Sequence, residues 1–310
     1  MLLKNLLQKL GDKMAIVGRA FSTSDFPYLL ANVANKSLQN GYETAPETWS
    51  LWTRVVSVSD FKTQSIVGLS EFSSLDSIPE GKEYKYGSFG DSREQFALGT
   101  YGKLFPITRQ AIVNDDLNAL TGIPAAMGRA AARKIGDTVY SVLTANAAMA
   151  DSVALFHADH KNLTTGAPTV STFDTAKNLM AVQKDSSGNA TLNIRPAFVL
   201  VPFALEGTSK VIVTAQYDPD TANKLQMPNR VQNLATVIAD ARLDAASTSV
   251  WYMVANPTVF DTIIVAFLDG NQTPVLEQQA GWTVDGVEYK TRIDCAAKAV
   301  SFRGMVKSSG

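Results

Sequence analysis

The chain has one cysteine, two histidines and a formal net charge of −1 over 310 residues. Each shortage closes off a class of protein. A lone Cys295 cannot form an intramolecular disulfide or a cysteine-rich zinc site. In its strand-like context it reads as a small buried hydrophobe, for which a reducing interior is the natural compartment. A nearly neutral charge gives no global basic footprint, so any contact with nucleic acid has to be local or non-specific. No apolar run approaches the ~18 residues that span a bilayer; the longest, such as 263–268, have the size of buried strands. Charged residues make up 18% and hydrophobic ones 45%, a balance that argues against disorder and against a membrane protein. There is no repeat at solenoid spacing and no low-complexity tract, and the Gly-Ser punctuation at 186–189 is an ordinary loop. The segment Gly68-Leu-Ser-Glu71 lacks the second glycine of a nucleophile elbow. The pairs Gly81-Lys82 and Gly102-Lys103 lack the spacing of a phosphate-binding loop.

What is present suits two intimately connected domains. Leucines at 2, 3, 6, 7 and 10 mark one face of a short amphipathic helix, interrupted by too many polar residues for a secretory signal. That helix docks on its own domain or, as a swapped arm, on a neighbour; a membrane-surface helix is a third reading. Thr23, Ser24, Asp25 and Pro27 are helix-start signals, and the helix is expected to run to about Asn40 and stop at Gly41. A long ribbon of β-type sequence follows, with candidate strands at 61–69 and 95–108. Between them lies a polar, turn-rich excursion at 73–91. An isolated two-stranded ribbon is marginal in water because nothing covers its apolar face. Phe72, Tyr84, Tyr86 and Phe89 near its tip therefore predict cover from elsewhere, most simply from another copy of the chain.

Asp115 and Asp116 favour a helix N-terminus, with a short turn ending at Gly122. Pro124 then suits the first turn of a main helix over 124–146. Its apolar stripe is Met127, Ala131, Ile135, Val139 and Val142, with Arg129, Arg133, Lys134, Asp137 and Ser141 on other faces. At 1.5 Å per residue it spans about 35 Å. Continuous apolar runs at 197–202, 250–255 and 262–268 read as central strands buried on both faces, with a helix over 204–217. The period-two segments 287–293 and 300–306 read as half-buried antiparallel strands that pair with each other, which makes 195–281 an insertion. His157, Asp159 and His160 invite a metal reading. Beyond the two histidines with Asp159 no further ligand is evident nearby, and the competing reading is a loop clamp in which the imidazoles bond backbone or carboxylates.

Four segments stand out along this order: Ser24-Asp-Phe-Pro-Tyr-Leu-Leu-Ala-Asn-Val-Ala-Asn-Lys36, Thr100-Tyr-Gly-Lys-Leu-Phe-Pro-Ile-Thr-Arg-Gln-Ala-Ile-Val-Asn-Asp-Asp116, Leu155-Phe-His-Ala-Asp-His-Lys-Asn-Leu163 and Ile194-Arg-Pro-Ala-Phe-Val-Leu-Val-Pro202. In these segments and in the order of its parts, the chain resembles the major capsid proteins of tailed double-stranded-DNA phages with the Hong Kong 97-type fold, and among them the Mu-like major head subunits. The resemblance implies an α+β fold with an N-terminal arm at 1–55 and an extended β-hairpin loop at 56–105. A peripheral domain at 106–195 and 282–310 would hold the spine helix 124–146, and 196–281 would be an inserted axial domain.

The function implied is a non-enzymatic coat subunit without cofactor. It would assemble through pentamers and hexamers into an icosahedral head around double-stranded DNA, in the cytoplasm of a bacterial host. Its partners would be its own copies, DNA bound without sequence preference, a portal, a scaffold or protease during assembly, and decoration proteins. No protease domain is visible, so a bare or already processed subunit is expected. Phe72, Lys82, Tyr84, Lys85, Tyr86 and Phe89 are the expected inter-subunit contacts. Arg129, Arg133 and Lys134 face packaged DNA or else form a solvated or interface-paired surface. Some capsids of this fold join a lysine to an asparagine of another subunit; Lys82 and Lys85 are read as solvated or salt-bridging instead. Three rivals are a nanocompartment shell resembling encapsulin, a metal-dependent enzyme using His157, Asp159 and His160, and another virion part such as a tail or adaptor subunit.

Overall fold

The computed structural model describes residues 26–67, 78–81, 83, 93–108, 117–185, 188, 190–219, 227–280 and 286–310. Its helices are α1 (Phe26–Glu43), α2 (Leu117–Ala145), α3 (Val170–Ala181), α4 (Phe203–Thr214) and α5 (Ala241–Ala246), with a 3-10 turn at Trp49–Leu51. The strands are β1 (Arg54–Val58), β2 (Gln64–Val67), β3 (Arg93–Phe96), β4 (Gly99–Thr108), β5 (Leu163–Thr164) and β6 (Pro196–Val201). They continue with β7 (Thr236–Ala239), β8 (Trp251–Ala255), β9 (Ile263–Leu268), β10 (Val275–Ala280), β11 (Gly286–Ala299) and β12 (Met305–Ser308). Two compact units emerge: 1–45, 101–132 and 273–293 form one, and 46–100, 133–272 and 294–310 the other.

In the first unit, β10 pairs antiparallel with β11 through register partners such as Gln278↔Tyr289, and β4 also pairs with β11. Ala34 and Tyr289 are buried there, with Ile123, Met127, Leu276 and Val287 around them. Helix α1 does not stop at Gly41 as expected but continues to Glu43. The glycine is there for a close crossing instead. A Cβ at Gly41 would lie 2.1 Å from the Ala125 carbonyl oxygen, and one at Gly128 would lie 2.1 Å from that of Leu38. The same crossing accounts for a second departure. Helix α2 is one 29-residue element with Pro124 inside it, not a short turn followed by a fresh start. Proline removes one helical donor, but backbone contact with α1 along this stretch holds the continuous form.

The second unit is built on a five-stranded sheet in the order β5-β12-β8-β6-β7. Every residue of β8 is buried. Its side chains alternate, so Trp251, Met253 and Ala255 join Val199, Val201, Phe173, Met180 and Ile212 in one core. On Trp251 the ring sits 4.9 Å from Phe173 and its Nε1–H donates to the Gly166 carbonyl at 3.1 Å. Strand β9, buried at five of six positions, belongs to different pairings. It runs parallel to β1 and antiparallel to the end of β11, where Cys295 faces Phe267.

The C-terminal strands therefore find partners the sequence did not indicate. Segment 300–306 is mostly a turn; β12 begins at Met305 and pairs with β8 and β5, not with β11. Alternation shows which face of a strand is buried, but not which distant strand lies beside it.

Candidate functional site

The ribbon has a stem. Strands β2 and β3 pair antiparallel as a two-stranded sheet, Gln64↔Phe96 through Val67↔Arg93. Ser65 and Gln95 face outward and are exposed, while Glu94 and Phe96 face inward and are buried. The expected strand 95–108 is thus two elements: β3 closes the stem, and β4 pairs elsewhere. Nor is the stem bare. Phe96 and Leu98 pack with Val58, Ile264, Ala266, Ala296 and Val300 of their own unit, and Val56 and Ile66 lie against the cluster. Phe72, Lys82, Tyr84, Lys85, Tyr86 and Phe89 lie outside the described residues.

Glu94 is the residue that sequence reasoning missed. It is 3% exposed, and one carboxylate oxygen accepts the Ala150 N–H at 2.7 Å while the other lies 3.3 Å from the Lys298 ammonium. A signal was present, since period-two alternation puts Glu94 on the same side as Phe96. A carboxylate on the inward face has to be paired to be tolerated.

Ala150 belongs to a loop that is held by side chains. Helix α2 is followed by Asn146, which adopts φ 46°, a left-handed cap conformation that asparagine tolerates. Its amide accepts the Phe156 N–H at 2.7 Å and donates to the Phe156 carbonyl at 3.2 Å. His160 is buried with its ring stacked 3.7 Å from that of Phe302. Its Nε2 meets Asp151 at 2.8 Å and its Nδ1 meets the Leu155 carbonyl at 3.1 Å. His157 is exposed, and its Nδ1 accepts the Asp159 N–H at 3.2 Å. Both nitrogens of His160 are thus spent on the loop, which is the geometry of a clamp. Among the described residues no three histidine, cysteine, aspartate or glutamate side chains are grouped to hold a metal ion. Burial disfavours the Asp151 anion, but bonds from the Val153 N–H and His160 outweigh it and hold the carboxyl below its ordinary range.

A second polar node had no sequence signal, because its members are far apart along the chain. Arg242 reaches Glu47 at 3.0 Å, Asp137 at 2.6 Å, Asp240 at 3.2 Å and the Arg133 carbonyl at 3.1 Å. Thr48 donates to Asp240 at 2.8 Å and shares a 2.7 Å hydrogen bond with the Tyr140 hydroxyl. Burial opposes the guanidinium charge, yet Glu47 and Asp137 hold it charged well above its usual range. Burial also pushes Glu47 up despite its bond to Arg242. The thiol of Cys295 is raised to about 11, chiefly by burial, which makes it inert as a nucleophile.

Arg129, Arg133 and Lys134 are exposed on α2. Asp137 stands one turn beyond Arg133 and is bonded to Arg242, so an acidic residue follows the three basic ones along the helix.

A family model described as phage capsid protein matches residues 93–308. No curated protein sequence matches the chain. Among solved structures, the procapsid of bacteriophage JBD30 is 14% identical with a TM-score of 0.51, covering 94% of this chain and 76% of that one. Mycobacterium phage Adephagia is 11% identical with a TM-score of 0.53, covering 86% and 90%. The holo-SrpI encapsulin complex of Synechococcus elongatus PCC 7942 is 11% identical with a TM-score of 0.51, covering 86% and 90%. These likenesses show a Hong Kong 97-type α+β capsid fold.

Proposed function

The chain belongs to the phage capsid protein family, and from that premise we propose that it is the major coat subunit of an icosahedral phage head. Pentamers and hexamers of this subunit enclose double-stranded DNA, assembled in the cytoplasm of a bacterial host. The observation that carries the reading is the family match over residues 93–308, joined to a fold shared with phage shells. The Mu-like subgroup is part of the same proposal. So is the four-part division into an arm (1–55), an extended loop (56–105), a peripheral domain with its spine helix (106–195, 282–310) and an axial domain (196–281). The subunit acts by association and carries no catalytic step.

The mechanism is the sum of many modest contacts. Ring closure and multivalent engagement make an assembly stable even where each interface is weak. The segment beyond the ribbon stem lies across a neighbouring subunit, where Phe72, Lys82, Tyr84, Lys85, Tyr86 and Phe89 make contact. Arg129, Arg133 and Lys134 meet DNA phosphates without sequence preference, a contact that weakens as salt rises. Portal, scaffold or protease, and decoration proteins complete the set of partners. A nanocompartment shell shares the fold but is supported by fold likeness alone, whereas the family match is to phage capsid proteins.

Electron microscopy of the purified full chain tests the proposal, with closed particles of uniform size as the expected result. A monodisperse monomer would overturn it. Deleting residues 74–91 should leave a folded subunit that fails to close shells, and normal particles from that deletion would refute the role given to the loop.

A further inference from the structure

The inward face of the ribbon stem carries a charge that strand pairing does not require. Glu94 lies opposite Ile66 and on the same side as Phe96, against a cluster that is otherwise apolar. An aliphatic side chain there would join the cluster without the desolvation cost of a carboxylate. The two oxygens of Glu94 go to two separate places, the Ala150 N–H at 2.7 Å and the Lys298 ammonium at 3.3 Å. Ala150 stands beside Asp151 in the loop that His160 and Asn146 clamp. Lys298 sits in β11, where it is the register partner of Ile264 in β9. One side chain therefore ties the stem to two rigid points.

Apolar contact through Phe96 and Leu98 is non-directional and is compatible with a small tilt or slide of a two-stranded ribbon. A charge-assisted hydrogen bond and an ion pair are satisfied at one setting. We infer that Glu94 is a positioning residue: it sets the direction in which the ribbon leaves its own unit, and thereby the line along which the segment beyond the stem reaches a second copy. The second half of this statement rests on the shell reading; the anchor itself does not.

Amide hydrogen exchange on the full chain tests the anchor. Glu94→Ala should speed exchange at the β2 and β3 amides on the order of 10- to 100-fold, the loss expected for a hydrogen bond to a charged group. Amides of β8 and β9 should keep their wild-type rates. Glu94→Gln still accepts from Ala150 and should fall between the two, as should Lys298→Met. In electron micrographs, Glu94→Ala should give open or irregular assemblies, and Glu94→Gln should recover closed ones. Unchanged exchange at the stem, or equal acceleration in β8 and β9, would overturn the anchor. Closed particles of wild-type size from Glu94→Ala with a loosened stem would overturn its role in assembly. If the wild-type chain itself forms no particles, the shell reading falls, and the exchange pattern still decides the anchor.

Discussion

The sheet through β8 and the ribbon stem are both made of short strands, yet they are stabilised in different ways. Strand β8 has neighbours on both edges and burial on both faces, with Trp251 at 0% exposure. Its hydrogen bonds and apolar surface are satisfied by elements of its own unit. The stem has two strands, one covered face and one solvated face. Its hold on the body is a small apolar cluster together with the Glu94 contacts. The difference is one of kind: the sheet is held by packing on both faces, and the stem by one covered face and a few directional contacts. A core made of continuous apolar strands resists any change. A stem fixed by a few directional contacts can be altered by one substitution without loss of the core.

Three substitutions sharpen or break that contrast. The largest effect is expected from Trp251→Ala, which empties a packed site beside Phe173 and should cost about 3–5 kcal/mol of subunit stability in a denaturant melt. A loss as small as that of a surface substitution would mean that the sheet is not the stabilising core. Phe96→Ala comes next. It should cost about 3 kcal/mol, the low end for this type of change, because a two-stranded stem can settle into the space. Its loss should show first as faster exchange in β2 and β3. If Phe96→Ala lowers the melt as much as Trp251→Ala, the stem is part of the core and the contrast fails.

The smallest effect is expected from Asp151→Asn, which loosens the loop that carries Ala150. The Asp151 carboxyl titrates below its ordinary 3.8 in the folded chain. The unfolded state therefore binds the proton first as pH falls, so the anion stabilises the fold above that value. That contribution disappears as pH drops through the lower folded value. The wild type should thus exceed Asp151→Asn slightly in stability at neutral pH, with the gap closing as the pH falls through the lowered folded value. Because the carboxylate is 45% exposed, the gap is small. A gap that widens on acidification would refute the sign.

Several elements were legible in the sequence because their signals are local. The apolar runs at 197–202, 250–255 and 262–268 became β6, β8 and β9, since a strand buried on both faces needs no partner information to be recognised. The stripe of Ala131, Ile135 and Val139 became the buried side of α2. Gly41 and Pro124 misled for one reason. Local punctuation predicts a stop, whereas the close crossing of α1 and α2 uses the glycine for contact and carries the helix through the proline. The Arg242 node joins residues as far apart as Glu47 and Arg242, and no spacing rule connects them. Glu94 was the readable exception, a carboxylate where alternation called for an apolar residue.

By itself the sequence determined which segments are strands or helices, which of their faces are apolar, and, through the order of the parts, the family to which they belong. Those properties follow from periodicity and composition, which are carried by neighbouring residues. Only the tertiary structure decided that β12 completes the sheet at β8, that the ribbon stem is covered by its own unit, and that Glu94 holds it to Ala150 and Lys298. Each of these is a pairing between distant segments. Many partners would satisfy the same apolar face or the same charge, and the choice is made only when the whole chain packs at once.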